Sequence, residues 1–194
     1  MVTLPLFEAE HTAITEARES EYVPTPAWVV RALVEGLQSA GHPPLPAGLT
    51  VEPCAGGGAI VDALEALAGP RRWILCELRA EAFHALVARY RRATVWRGDY
   101  LTIGGPVRGA DLWITNPPYS IAAEIFAKMR ADAGVLGTVA LHVPWAFAAT
   151  DALDGVEADL YPIEGRPYGF VRETCWIVTG PGRGGRRLRL RRPG

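Results

Sequence analysis

Leu49-Thr50-Val51-Glu52-Pro53-Cys54-Ala55-Gly56-Gly57-Gly58 runs from a short apolar strand into a tight glycine turn, and Ala59 to Leu67 continues it as a helix closed by Gly69-Pro70. Glycines at such a turn let the backbone approach a ligand closely, because no Cβ intervenes. Downstream, Trp73 to Cys76 reads as a second buried strand ending at Glu77, followed by a helix from Ala80 to Tyr90. Thr94 to Trp96 is a third strand, leading to Gly98-Asp99, and Ala110 to Thr115 is a fourth. A helix from about Ile121 to Met129 and a fifth strand, Gly137 to Val143, complete the series. Strands alternating with helices at this rhythm imply an α/β domain, a mostly parallel sheet with helices on both faces. The rhythm then breaks: Asp159 to Ile163 and Thr174 to Thr179 are strands with no helix between them, as an antiparallel pair requires. Upstream, Tyr22-Val23-Pro24-Thr25-Pro26 is a stiff extended stretch. Thr25 is expected to cap the following helix, with Pro26 in its first position. That helix carries Trp28, Val29, Ala32, Leu33 and Leu37 on one face and ends at Gly41-His42-Pro43-Pro44.

The 194 residues suggest one domain, able to bury roughly 70% of its unfolded surface and to hold a core without disulfides. We expect an N-terminal arm over residues 1–20, a catalytic domain over 21–182 and a basic Gly/Arg tail over 183–194. No run of ~18 apolar residues is present, so a membrane span is not expected. The N-terminus lacks a basic region followed by an apolar core, which leaves the cytoplasm as the expected location. Cys54, Cys76 and Cys175 are not paired at zinc-ligand spacing and are expected to be reduced and buried, and no metal site is expected. Formal net charge is −1, but every acidic residue precedes position 182. Arg183, Arg186, Arg187, Arg189, Arg191 and Arg192 make the tail basic, which fits either a phosphate contact or a solvated terminus.

In open parallel sheets, ligands bind beyond the carboxyl ends of the strands at the switch point. Glu52 to Gly58 falls there, Glu77 ends the second strand where it can accept from ribose hydroxyls, and Asp99 ends the third where it can meet an adenine amino group. Together these describe a pocket for an adenosine-containing cofactor. The glycines match G-x-G-x-x-G only in part, since Val61 holds the last position. Glu52 suits a cofactor with an ammonium and a sulfonium better than one with a pyrophosphate. Asn116-Pro117-Pro118-Tyr119 follows the fourth strand directly. The prolines fix φ and remove two donors, so the Asn116 side-chain oxygen and the Pro117 carbonyl can hold the two hydrogens of an exocyclic amino group. They stabilise that nitrogen as it gains positive charge, and Tyr119 offers a flat face for a flipped base.

On these residues the chain resembles the S-adenosylmethionine-dependent amino-methyltransferases, most closely the DNA adenine-N6 enzymes with an Asn-Pro-Pro-Tyr motif. The matching stretches are Val51 to Ile60, Thr115 to Ser120 and Tyr22 to Pro26, and Arg166-Pro167 to Trp176 is weakly similar to the family's last strands. The resemblance implies a Rossmann-like class I methyltransferase fold, a mostly parallel seven-stranded sheet with the last strand antiparallel. It implies S-adenosyl-L-methionine as cofactor, held by Tyr22, Thr25 and Pro26 upstream, by Glu52, Pro53, Ala55, Gly56 and Gly58 in the loop, and by Glu77, Leu78, Asp99, Tyr100 and Asn116 at the later strand ends. Catalysis would fall to Asn116, Pro117, Pro118 and Tyr119. Tyr119, Trp145, Arg166 and Tyr168 are candidate substrate contacts, with Phe147 and Arg172 in the same late segment; packing and solvation are equally ordinary roles for these.

Family members usually carry a long target-recognition domain, whereas only Trp145 to Glu173 offers room here. A minimal enzyme with short or relaxed sequence preference, or one served by a separate recognition partner, is therefore expected on DNA. RNA adenine or protein glutamine methylation, a nucleotide-dependent oxidoreductase and a catalytically silent nucleic-acid-binding subunit are the competing readings.

Overall fold

A computed structural model describes residues 22–103, 109–165, 167–169 and 173–192. The expected N-terminal arm, Arg166 and Arg172 lie outside them. Helix α1 (Ala27–Ser39) is followed by β1 (Leu49–Glu52), α2 (Ala59–Ala68), β2 (Arg72–Glu77), α3 (Ala80–Arg89) and β3 (Thr94–Arg97). Then come β4 (Leu112–Thr115), α4 (Ala122–Ala133), β5 (Thr138–Pro144), β6 (Ala158–Pro162) and β7 (Thr174–Thr179). The seven strands form one sheet in the order β3-β2-β1-β4-β5-β7-β6. The β1–β2, β1–β4, β2–β3 and β4–β5 pairs are parallel. β7 alone runs against the others, antiparallel to β5 and to β6. The expected fold is therefore present, a class I methyltransferase fold with its reversed strand inserted between β5 and β6.

The strands β4 and β7 are buried along their whole length, which is what helices on both faces demand. On one face, Val29, Leu33, Leu37, Ile60, Leu64 and Leu86 of α1 to α3 pack on Leu75, Ile114 and Trp176. On the other, Ile125, Phe126 and Met129 of α4 pack on Trp113, Leu141 and Ile177. The indole N–H of Trp176 donates to the Val29 carbonyl at 3.1 Å, so β7 and α1 are tied by a bond as well as by packing.

Three local expectations change. Pro26, not Thr25, occupies the N-cap of α1, and no side chain caps that end. Thr25 is instead buried, 6% exposed. β4 starts at Leu112 rather than Ala110, because Asp111 turns its carboxylate to accept from the Leu49 N–H at 2.7 Å. The basic tail lies along β6. Its backbone bridges Leu160 to Arg187 and Ile163 to Leu190 in parallel, with Leu160 N donating to Arg186 O at 2.8 Å and Leu190 N to Pro162 O at 2.7 Å. An edge strand with free N–H and C=O groups invites unwanted pairing, and the tail satisfies part of that edge.

Candidate functional site

The chain departs from β1 toward β2 on one side and returns as β4 on the other, so a crevice opens between their carboxyl ends. A cleft of ≈ 920 Å³ lies there, large enough for a nucleoside-sized ligand. Tyr22, Thr25, Glu52, Pro53, Ala55, Gly56, Glu77, Leu78, Asp99, Tyr100 and the whole turn from Asn116 to Tyr119 line it, with Tyr168. Three expected contacts stand elsewhere: Pro26, Gly58 and Trp145 do not line the cleft. Gly58 is needed for a different reason. It caps α2 at φ 82°, and a Cβ there would collide with the Tyr90 ring. Trp145 packs beneath the Arg187 guanidinium, 4.6 Å from ring centroid to charge.

Gly56, at φ 56°, carries the Tyr22 ring against it where a Cβ would sit. The Tyr22 hydroxyl accepts from Gly57 N at 3.2 Å, and the Arg79 guanidinium lies 3.8 Å from the ring's centroid. The segment before α1 thus folds over the glycine turn. Glu77 fixes that turn by accepting from Gly56 N at 2.6 Å, and its second oxygen accepts from Arg79 N and Nε at 2.9 and 3.0 Å. Oε2, which accepts only from Gly56 N, retains acceptor capacity for a ligand hydroxyl.

Glu52 is 2% exposed, and its Oε2 is buried with no hydrogen-bond partner among the described residues. Burial first, then the neighbouring Glu77 and Asp62 charges, hold its pKa well above the usual carboxylate range. An orphaned carboxyl lining a cleft is the arrangement a cationic ligand would satisfy. Cys54 also lines the cleft. Burial chiefly raises its pKa, and those of Cys76 and Cys175 rise to about 12 for the same cause. All three are free thiols and poor nucleophiles in that state. Among the described residues no cluster of His, Cys, Asp and Glu could hold a metal.

At β4, the amide of Asn116 is oriented from outside. Its Nδ2 donates to the Val23 carbonyl at 3.3 Å and to the Tyr168 hydroxyl at 3.1 Å. A carbonyl can only accept, so the nitrogen must face Val23 and the oxygen faces the other way. The Pro118 carbonyl accepts from Ile121 N at 3.2 Å. That narrows the expectation of free carbonyls to Pro117, which accepts no backbone hydrogen bond among the described residues. Tyr119 is 37% exposed at the rim.

No motif in the sequence marks His142. It stands on β5, fully buried, with Nδ1 3.4 Å from Asn116 Oδ1 and 3.1 Å from the Tyr168 hydroxyl. Burial depresses its pKa to about 3, so it is a neutral imidazole near pH 7. With Nδ1 protonated it donates toward Asn116 Oδ1; the bare Nε2, which has no partner among the described residues, is then an acceptor. A strand histidine two residues from the end of an apolar run looks like core. Only the pairing of β5 with β4, Thr115 against Leu141, brings it to the motif.

No family model matches the sequence, and no curated protein matches it. Solved structures do match in fold. A predicted O-methyltransferase from Agrobacterium tumefaciens superposes with a TM-score of 0.59 at 20% identity, covering 86% of this chain and 85% of that one. A TehB-like S-adenosylmethionine-dependent methyltransferase from Corynebacterium glutamicum gives 0.55 at 14%, covering 91% and 99%. A dimethyladenosine transferase from Plasmodium falciparum gives 0.60 at 12%, covering 82% and 63%. The chain thus has the class I methyltransferase fold.

Proposed function

We propose that the protein is an S-adenosylmethionine-dependent methyltransferase that modifies the N6 amino group of adenine in DNA, with short or relaxed sequence preference or with a separate recognition partner. The observation that carries this is the opening of the Asn116 to Tyr119 turn into the same cleft as Glu52, Glu77 and Asp99. The fold it shares with known methyltransferases supports the cofactor. Glu52 and the glycine turn would hold the cationic methionine end, Glu77 the ribose and Asp99 the adenine. The bound cofactor supplies an electrophilic methyl group on sulfur. Asn116 Oδ1 and the Pro117 carbonyl accept the two amino hydrogens, which directs the nitrogen lone pair at the methyl group. The nitrogen would become cationic as its bond to the methyl carbon forms and the carbon–sulfur bond breaks to leave a neutral thioether, and it would then be acidic enough to release its proton to water, so no basic side chain is required. Tyr119 stacks on the extruded base. His142 and Tyr168 keep the Asn116 amide in the accepting orientation.

Tritiated methyl transfer from S-adenosylmethionine to duplex and single-stranded DNA of varied sequence, to RNA and to protein tests this. Label is expected on adenine in many DNA sequences. Strict dependence on a long site would remove the relaxed preference, and label on RNA alone would favour an RNA adenine enzyme instead. Calorimetric binding of NAD in place of S-adenosylmethionine would overturn the cofactor.

Glu52 makes the cofactor's affinity depend on pH. A carboxyl whose folded pKa is raised favours the folded, unliganded protein most below its unfolded pKa, and that contribution is lost as pH rises toward the folded pKa. A cation bound beside it recovers the cost of ionisation. S-adenosylmethionine is therefore expected to bind more tightly as pH rises above the ordinary carboxylate range toward about 7, where its sulfonium is charged and its ammonium mostly so. Glu52→Gln should weaken binding about 10- to 100-fold at pH 7.5 and flatten the trend. An unchanged pH trend in the variant, by calorimetry, would assign the effect to another group.

A further inference from the structure

The tail that closes the β6 edge also sorts its arginines by face. Arg183 is spent inside the protein: it is 6% exposed, donates to the Pro43 and Pro44 carbonyls and lies 3.7 Å from Asp159. Arg186 bonds the same carboxylate at 3.4 Å. Beyond them the chain is extended, so alternate residues face opposite ways. Leu188 and Leu190 pack toward Gly36 of α1, and Leu190 is 2% exposed. Arg187, Arg189 and Arg191 therefore stand on the other face, and all three are exposed. The Arg187 guanidinium, 4.6 Å from the Trp145 ring centroid, marks that face. Arg189 has no acidic partner among the described residues, and Arg191 has only a surface contact with Glu164 at 3.1 Å, the two side chains 82% and 38% exposed.

The direction of this row matters. The tail pairs in parallel with β6, first at Leu160 and then at Ile163, so it climbs toward the carboxyl ends of the strands. Ile163 N donates to the Thr174 carbonyl at 2.9 Å, and Thr174 lines the cleft. The arginines thus form a line that ends level with the cleft wall. Alternate residues of an extended chain are about 7 Å apart, on the scale of one nucleotide step along an extended strand.

We propose that Arg187, Arg189 and Arg191, with Trp145 at their side, form a track that binds the phosphodiester backbone of a nucleic acid and leads it to the cleft. The inference rests on the nucleic-acid reading of the site. Such a track gives affinity without sequence information, which fits the relaxed sequence preference proposed above. DNA and RNA share the phosphodiester chemistry, and the experiment separates them.

The experiment measures binding of the full chain to labelled duplex DNA, single-stranded DNA and RNA by fluorescence anisotropy at several salt concentrations. It compares wild type with the triple variant Arg187→Gln, Arg189→Gln, Arg191→Gln. A second triple variant, Arg72→Gln, Arg91→Gln, Arg92→Gln, removes equal charge at the amino ends of β2 and β3, away from the cleft. Affinity for S-adenosylmethionine, measured on each, reports folding. For the tail variant, the slope of log K against log salt is expected to fall by about 0.9 per lost contact on duplex DNA and about 0.7 on single strands, alike for all sequences. The control variant should shift it far less. An unchanged slope in the tail variant, or an equal change in both variants, overturns the track. Wild type that binds no nucleic acid overturns the functional reading itself, whereas binding to RNA alone keeps the track and overturns the DNA assignment.

Discussion

Asn116→Ala is expected to lower kcat for methyl transfer about 100- to 1,000-fold, the range seen when one group aimed at developing transition-state charge is removed. The substitution deletes the side-chain oxygen that would hold one amino hydrogen and leaves the Pro117 carbonyl to hold the other alone. Affinity for S-adenosylmethionine should change by less than about tenfold, because Glu52, Gly56, Glu77 and Asp99, the residues proposed to hold it, also line the cleft. Single-turnover methyl transfer, with cofactor binding measured in parallel, separates the two effects. Undiminished transfer by the variant would refute the proposed role of Asn116. His142→Phe gives the second arm. It keeps bulk in the core but removes Nδ1, which lies 3.4 Å from Asn116 Oδ1, and should cost about 3- to 10-fold in kcat, the worth of one buried hydrogen bond. His142→Gln, which retains a donor, should recover part of it. Because the imidazole titrates only at about 3, the pH–rate profile should show no limb from His142 above pH 5. A limb near the ordinary histidine pKa that vanished in His142→Phe would make it a base instead.

Asp159→Ala is expected to be the most destabilising of the substitutions considered. The Asp159 side chain is 0% exposed and the facing Arg183 side chain 1%. Its carboxylate accepts from Gly184 N at 2.9 Å, Arg186 N at 3.0 Å and the Tyr161 hydroxyl at 3.2 Å. Removing it leaves a guanidinium buried and uncompensated, which costs about 3–5 kcal/mol. For a domain of this size that is a fall in Tm of roughly 6–20 °C. The same bonds hold the start of the tail, so exchange protection should be lost first along Leu188 and Leu190. Burial raises the Asp159 pKa, but the Gly184 and Arg186 N–H groups, the Tyr161 hydroxyl and the Arg186 charge outweigh it and leave the net shift downward. A depressed carboxylate contributes stability above its unfolded pKa and loses it as pH falls through the folded value. Wild type and variant should therefore converge in Tm as pH drops below about 4. A constant gap across pH would mean that packing, not charge, sets the cost.

Much of this architecture was written locally. Leu49 to Glu52, the glycine turn and the helix after it follow from apolar runs and from residues that permit positive φ, and these signals act over a few neighbours. That Glu52, Glu77 and Asp99 line one cleft was legible for the same reason, since they stand at or just beyond strand ends and the topology of parallel sheets sends those ends to one edge. Asn116 to Tyr119 was legible because two prolines after a buried strand leave little conformational choice. What eluded the sequence were contacts between distant segments. Thr25 looks like a cap by its neighbours, but the cleft buries it. Trp145 and Gly58 lie off the cleft, against Arg187 and Tyr90, 42 and 32 residues away in the chain. His142 carries no local mark of function; strand pairing alone puts it beside Asn116.

The glycine turn after Leu49 to Glu52, with the alternation of strands and helices that follows it, thus marked an α/β fold in the sequence itself, because turn geometry and apolar periodicity are properties of short segments. Tertiary structure decided the rest: that the Asn116 oxygen is turned away from Val23, that a buried histidine stands behind it, and that the basic tail lies along β6 with Arg187, Arg189 and Arg191 on one face. Those depend on which strands lie side by side, and no short stretch of sequence specifies that.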